Sequence, residues 1–88
     1  MKPVEHHLKT WTHFFEDILR GKNFEIRKND RDFQVGDILV LEDFCPQLKM
    51  AMGRSVRKLV TYVLLHEDFP KGIQEDYCIM GLKEGFEP

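Results

Sequence analysis

Only one segment of the sequence has the hydrophobic spacing of a helix, and this limits the folds that the chain can adopt. There the large apolar residues recur at i, i+3, i+4, i+7 and i+8, which predicts one core-facing stripe: Trp11, Phe14, Phe15, Ile18 and Leu19. We expect Thr10 or Thr12 to cap the amino end of this helix and Gly21 to end it. The remaining regular segments have the periodicity of strands.

Five segments have that strand periodicity. Residues 4–9 and 23–28 alternate apolar and polar positions, residues 38–44 begin with a continuous apolar run, and residues 55–66 are apolar on both faces in their second half. In residues 77–83, Tyr77 and Ile79 lie opposite Cys78, Met80 and Leu82. In residues 23–28 we expect Phe24 and Ile26 to pack inward, with Glu25 and Arg27 displayed outward. Turn-forming residues occupy 29–32, and we interpret 45–53 and 68–76 as loops.

The elements and the length together predict one α+β domain that covers residues 1–88. A small sheet of about five strands that curls into a barrel removes its exposed edges, and the amino-terminal amphipathic helix then plugs or flanks it. No apolar run exceeds four residues and the amino terminus lacks the apolar stretch of a signal peptide, so we expect a cytoplasmic protein without a membrane span. The two cysteines lack disulfide-framework spacing and are expected to be reduced.

Charge is unevenly distributed, although the totals nearly balance at thirteen bases and fifteen acids. Residues 20–31 hold five bases against two acids, and residues 45–65 hold four bases and no acid. The compensating negative charge is concentrated in residues 67–87, which hold six acids against two bases. Such a distribution can create a basic face that attracts an anionic ligand such as RNA, or it can be an ordinary solvated surface.

Three charged residues after the predicted helix are candidates for a binding site. Lys22 lies in the turn, and Glu25 and Arg27 share one face of the next strand, so an acid is held between two bases. Such a cluster can bind a phosphate and the edge of a nucleobase. The alternative is an exposed row of ion pairs without a ligand, in which each pair contributes only about 0–1 kcal/mol.

A longer stretch of the sequence resembles a known family. The order His-His-Leu-Lys at residues 6–9, an aromatic helix, and Gly-Lys-Asn-Phe-Glu-Ile-Arg-Lys-Asn-Asp-Arg-Asp-Phe-Gln-Val-Gly-Asp at residues 21–37 resembles the ASCH family, in particular its small members from bacteriophages and prophages. The resemblance covers residues 6–41 and extends weakly to Gly81. It implies a PUA-like β-barrel with an RNA-binding cleft beside a Gly, a Lys and a Glu-x-Arg, which Lys22, Glu25 and Arg27 match. Gly21 and Lys22 are adjacent here, whereas the family usually has one residue between them.

The resemblance and the local charge predict an RNA or nucleotide-like ligand as the partner, and no cofactor. The residues expected to contact that ligand are His6, Lys9, Lys22, Glu25, Arg27, Lys28, Arg31 and Arg54. His6 shares the face of Leu8 and is interpreted as a half-buried histidine with a satisfied hydrogen bond, which the resemblance puts close to the cleft. The four histidines and two cysteines have no known zinc spacing, so no metal site is predicted.

The aromatic residues of the helix are expected to pack in the core rather than against bases, because their spacing is helical. Phe33 and Tyr62 are better candidates for stacking on a base, although a core position is favoured for each.

Two other functions stay open. Some ASCH proteins resemble amidohydrolases that act on acetylated cytidine with a Lys, a Thr and a distant Glu, and others resemble ribonucleases. Lys22 matches that Lys, Glu25 stands where the Thr would be, and Glu67 and Glu75 are candidates for the distant Glu by region alone. If the chain is an enzyme, Lys22 and Glu25 are the expected catalytic residues, with Glu25 as a general base. Otherwise a phage accessory protein can use the barrel surface to bind a host protein.

Overall fold

The computed structural model of the protein describes residues 3–84. The chain forms, in order, strand β1 (Glu5–Trp11), helix α1 (Thr12–Leu19) and strands β2 (Phe24–Lys28), β3 (Ile38–Cys45), β4 (Met50–Leu65) and β5 (Tyr77–Glu84). A short 3₁₀ turn (His66–Asp68) follows β4. The five strands and the single α-helix confirm the prediction of an α+β fold.

All five strands belong to one sheet, in the order β1-β3-β4-β5-β2. β1 pairs with β3 in parallel, and the other neighbours are antiparallel. β1 and β2 are therefore the two edges, and the sheet curls into a half-barrel that brings these edges towards each other. The barrel-like architecture agrees with the prediction, but the last gap is not closed by a backbone ladder.

Arginine side chains cross the gap between the two edges. Arg27 Nη1 donates a hydrogen bond to the backbone oxygen of Lys9 at 3.1 Å, and Arg31 Nη1 donates to that of His7 at 3.0 Å. His7 and Lys9 are two positions apart on β1, so their carbonyl groups point to the same side of the strand. Two guanidinium groups thus satisfy acceptors that an exposed edge would leave open to other chains.

The hydrophobic core combines the helix, four of the strands and the β2–β3 loop. Its buried members are Leu8, Ile18, Phe33, Leu39, Leu41, Val60, Cys78, Met80 and Leu82. Each large apolar side chain that is removed from water in this way contributes about 1.5–3 kcal/mol. The favoured core position of Phe33 is confirmed.

The predicted core-facing stripe of α1 is wrong for three of its five residues. Phe15 and Ile18 are buried, whereas Trp11, Phe14 and Leu19 are 51%, 41% and 51% exposed. An α-helix of eight residues has about two turns, and α1 packs mainly against β1 and β3. Phe14 and Leu19 lie on the side of the helix that faces away from these two strands, so they meet solvent.

Neither Thr10 nor Thr12 caps the amino end of α1, so that prediction is also wrong. Among residues 3–84, no side chain caps its amino end: Trp11 occupies that position, and Thr12 Oγ1 donates to Asp43 Oδ1 at 2.6 Å instead. Thr10 is buried in β1 and donates to the backbone oxygen of Leu8. The carboxy-terminal prediction is confirmed, because Gly21 follows the helix at a φ of +114°, which glycine adopts readily.

The two faces of β2 are the reverse of the prediction. Glu25 is only 4% exposed, whereas Phe24 and Ile26 are exposed. Alternation shows which residues share a face but leaves open which face is inside. Burial of the Glu25 carboxylate becomes tolerable because cations on the same side of the sheet pair with it.

The predicted loop at 45–53 is too long, since β4 begins at Met50. Phe44 pairs with Ala51 and Glu42 with Ser55, so residues 52–54 of β4 face Asp43 alone. Gly53, at a φ of +88°, belongs to this bulge and does not mark a loop. The bulge brings the side chain of Arg54 onto Asp43.

Both cysteines are thiols, Cys78 in the core and Cys45 partly exposed. Between residues 3 and 84, no helix is long and apolar enough to cross a membrane.

Candidate functional site

A cavity of about 770 Å³ lies where the end of β1, the helix α1 and the strand β2 meet. Its lining combines charged and aromatic side chains. The lining residues are Lys9, Thr10, Trp11, Phe14, Asp17, Lys22, Phe24, Glu25, Ile26, Arg27 and Tyr77. The volume falls within the roughly 300–1,000 Å³ that is typical of small-molecule sites.

Glu25 is the centre of the charged part of this cavity. Lys22 Nζ lies 3.2 Å from Glu25 Oε1, and Arg27 Nε donates to Glu25 Oε2 at 3.1 Å. The side chains of Lys22, Glu25 and Arg27 are 18%, 5% and 23% exposed. The predicted convergence of these three residues is confirmed, and the cluster is too enclosed to be an ordinary exposed row of ion pairs.

Local structure explains why the three residues meet. Gly21 ends α1, and the amide of Lys22 donates to the backbone oxygen of Asp17 at 2.9 Å, which holds Lys22 against the last turn of the helix. The two-residue period of β2 then puts Glu25 and Arg27 on one face. Pairing of β2 with β5 sets the register of that face.

Arg27 uses all three of its guanidinium nitrogens within the protein. Besides Nε on Glu25, Nη1 donates to the Lys9 backbone oxygen at 3.1 Å and Nη2 donates to Thr10 Oγ1 at 3.0 Å. Arg27 therefore orients Glu25 and joins the sheet edges. Lys22 has a single side-chain acceptor, so two of its three N–H donors still point elsewhere.

Aromatic rings form the walls beside this cluster. Lys22 Nζ lies 4.9 Å from the ring centroid of Phe14 and 5.2 Å from that of Phe24, within the range of cation–π attraction. The rings of Trp11 and Phe14 are 6.1 Å apart and inclined by 18°. The arrangement offers flat apolar faces next to the carboxylate of Glu25 and the ammonium group of Lys22, and Asp17 and Lys9 also line the cavity.

A family model covers most of this chain, including every residue that lines the cavity. The model describes a domain of unknown function, DUF3850, and it matches residues 5–82. The chain belongs to the DUF3850 family. A search of the curated proteins finds no match.

Sequence reasoning missed the aromatic part of this DUF3850 site. Trp11 and Phe14 were expected in the core and Phe24 inside the sheet, yet all three are exposed and line the cavity. One signal was available, because Lys22 lies between an aromatic helix and Phe24 in the chain. Tyr77 gave no such signal, since it enters the cavity only through the pairing of Lys28 with Tyr77.

Of the other residues that were predicted to contact the ligand, Lys9 lines the cavity, whereas Lys28 and Arg31 do not. Lys9 lines it and has its Nζ 4.8 Å from the ring centroid of Phe44. Lys28 is exposed at the end of β2 but does not line the cavity, and Arg31 is bonded to the backbone of His7.

His6 does not line the cavity either. It is buried, with Nε2 2.8 Å from Asp37 Oδ2 and its ring edge against Phe33. The backbone amide of Gln34 donates to the same oxygen of Asp37. The satisfied hydrogen bond predicted for His6 is confirmed, although the residue is buried rather than half-buried. This pair ties β1 to the β2–β3 loop.

Arg54 is committed to carboxylates. It donates to Glu16 Oε1 at 2.7 Å and to Asp43 Oδ2 at 3.0 Å, and its guanidinium carbon lies 4.9 Å from the Phe15 ring centroid. Hydrogen bonds to Glu16 and Asp43 raise the pKa of Arg54 above its ordinary value. Arg54 joins the helix to the bulge of β4 and lies outside this cavity.

Three further residues lie away from the cavity. Tyr62 is 59% exposed, so the favoured core position is wrong for it, and Glu67 and Glu75 are exposed. Within residues 3–84, no group of three or more His, Cys, Asp or Glu side chains is placed to hold a metal ion.

Proposed function

We propose that this protein binds single-stranded RNA or a modified nucleotide, and that the base enters the cavity beside Lys22 and Glu25. One observation carries the proposal: a buried Glu25, held between Lys22 and Arg27, faces a cavity that has exposed aromatic walls. The ASCH resemblance of residues 6–41 supports the same class of ligand. It also supports a PUA-like fold, a cytoplasmic location and a role as a phage or prophage accessory protein.

The chemistry of the cavity suits a nucleobase better than an isolated phosphate. The edge of a base carries hydrogen-bond donors next to acceptors, and Glu25 can accept while Lys22 donates. The faces of the base are flat and apolar, as are the rings of Trp11, Phe14 and Phe24. A phosphate would gain from Lys22 but would be repelled by Glu25, and it has no use for aromatic walls.

The geometry favours binding over hydrolysis. Both oxygens of Glu25 already accept from a cation, so the carboxylate is arranged as a fixed acceptor more than as a general base for water. The hydrolase alternative predicts turnover of acetylcytidine or of labelled RNA that disappears in Glu25→Gln. A protein that docks on a host partner would instead have no affinity for nucleic acid even at low salt.

Trp11 supplies a direct test because it is the only tryptophan of the chain and it lines the cavity. A base that stacks near it should change its fluorescence during titration with single-stranded RNA of about ten nucleotides. Affinity should fall as salt is raised, and Lys22→Gln should weaken it by about tenfold or more at constant salt.

Lys71→Gln is the matched control, since it removes the same charge from an exposed lysine outside the cavity. Equal affinity of Lys22→Gln and the parent protein would refute this assignment of the site. Absence of any RNA affinity at low salt would refute the proposed function.

A further inference from the structure

A second cavity, of about 500 Å³, adjoins the first. It lies under the β3–β4 hairpin, and Lys9 lines both cavities. Around it are Phe44, Lys49, Met50, Gly53 and Arg54. Gly53 and Arg54 of the bulge at residues 52–54 are part of its lining.

The two acids of this second cavity, Glu42 and Asp43, both have polar partners. Asp43 is 1% exposed and accepts from Thr12 and Arg54. Glu42 is hydrogen-bonded to His7 at 3.2 Å. The three cations of the lining, Lys9, Lys49 and Arg54, outnumber these two carboxylates, and residues 45–65 add no acid of their own.

Its lysines, in contrast, have no carboxylate partner in the described part of the chain. Neither Lys9 nor Lys49 makes an ion pair with any residue between 3 and 84, and Lys9 Nζ rests on the ring of Phe44. Lys49 is exposed at the end of the hairpin turn, at a φ of +55°. Two ammonium groups that make no ion pair within residues 3–84 and lie at one concave surface favour an anionic ligand.

We propose that the second cavity holds the neighbouring nucleotide of the same strand, with the connecting phosphate at Lys9. This inference rests on the proposed function, because the first nucleotide occupies the cavity of Glu25. A phosphodiester carries one negative charge between two nucleosides, and Lys9 is the cation shared by the two cavities. Both volumes fall in the range of roughly 300–1,000 Å³ expected for small-molecule sites.

Lys49 and Met50 then contact the second nucleotide. Lys49 adds charge, and the side chain of Met50 supplies apolar surface at the hairpin. The smallest unit that fills the whole site is a dinucleotide.

The test compares ribonucleoside 5′-monophosphates with the 5′-phosphorylated ribodinucleotides made from them, by fluorescence of Trp11. We expect the best dinucleotide to bind at least about tenfold more tightly than either of its parts, because the second contact is intramolecular. Lys49→Gln should remove most of this gain and leave mononucleotide affinity within about twofold. Lys71→Gln, the matched control, should change neither value.

Amide chemical shifts add a measurement that does not depend on any variant. Dinucleotides should shift the amides of Ala51 and Ser55 beside the second cavity, and mononucleotides should shift only those near Lys22 and Glu25. Mononucleotide binding without a gain for dinucleotides would overturn this inference and leave the proposed function standing. An equal loss in Lys49→Gln and Lys71→Gln would also overturn it. Absence of binding by both ligand classes would overturn the two together.

Discussion

Arg27 donates through Nη1 to the backbone oxygen of Lys9, 3.1 Å away, and this bond joins the two edge strands of the sheet at the site. The same guanidinium holds Glu25 through Nε. One side chain therefore contributes both to closure of the half-barrel, together with Arg31, and to orientation of the candidate binding carboxylate, together with Lys22. When side chains join the two edge strands of a sheet, a cavity can remain between those strands. If the two edge strands were paired directly by backbone hydrogen bonds, that space would be closed.

Replacement of Arg27 should destabilise the fold. Arg27→Ala removes three hydrogen bonds and leaves the buried Glu25 with Lys22 as its only cation among residues 3–84. We expect a loss of about 2–3 kcal/mol in the free energy of unfolding, measured by urea denaturation. Arg27→Lys should not restore the lost stability, because one ammonium group cannot donate to Glu25, Lys9 and Thr10 at the same positions as the three guanidinium nitrogens.

Arg20→Ala is the control for that experiment. Arg20 is highly exposed and pairs with Asp17 only at 3.9 Å, so we expect a change within about 0.5 kcal/mol. Equal stability of Arg27→Ala and Arg20→Ala would contradict the role of Arg27 in closing the sheet.

Removal of an aromatic wall should weaken ligand binding without loss of stability. Phe24 is exposed and lines the cavity, so Phe24→Ala should lower RNA affinity by the roughly 1–3 kcal/mol of one base–aromatic stack. Tyr62→Ala removes an exposed aromatic side chain outside the cavity and should leave affinity unchanged. Anisotropy of labelled single-stranded RNA measures both variants. Similar affinities for the two would show that the aromatic walls do not contact the ligand.

The carboxylate of Asp43 should matter far more to stability than that of its neighbour Glu42. Asp43 is 1% exposed and bonds Thr12 on the helix and Arg54 on the bulge, whereas Glu42 is partly exposed. Asp43→Asn should cost about 1–3 kcal/mol, and Glu42→Gln should stay within about 0.5 kcal/mol, in parallel urea titrations. A cycle with Arg54→Ala should show coupling between Asp43 and Arg54, and additive losses would argue against the contact.

The two thiols should differ in reactivity. Burial raises the pKa of Cys78, which keeps its thiol protonated, whereas Cys45 is partly exposed. A thiol reagent such as Ellman's should therefore label one cysteine in the folded protein and both in denaturant. Labelling of two thiols at the same rate under native conditions would contradict the buried position of Cys78.

The raised pKa of Cys78 also predicts a direction for stability against pH. Above the ordinary thiol pKa of about 8.5, the unfolded chain loses this proton while the folded protein retains it, so unfolding becomes more favourable as pH rises. The difference in unfolding free energy between the parent protein and Cys78→Ala should shrink over this range. A constant difference would contradict the shift, and Cys45→Ala serves as the control.

Periodicity and turn chemistry were enough to locate the helix, the strands and the convergence of Lys22, Glu25 and Arg27. These depend on local rules: the 3.6-residue and two-residue periods, and the glycine that ends α1. The predicted loop at 45–53 extended past the true start of β4 at Met50 for a local reason too. Glycine is typical of loops but also of β-bulges, and Gly53 belongs to a bulge.

The sidedness of each element was beyond local rules. Whether Phe24 or Glu25 faces inward depends on which side of β2 meets the rest of the sheet, and whether Phe14 is buried depends on how much of α1 other elements cover. Both follow from long-range packing: the pairing of β2 with β5 and the approach of β1 across the gap bridged by Arg27. The sequence by itself thus determined an α+β chain with an acid between two bases. Only the tertiary structure decided that aromatic rings lie around that acid, because burial depends on neighbours that are distant in the chain.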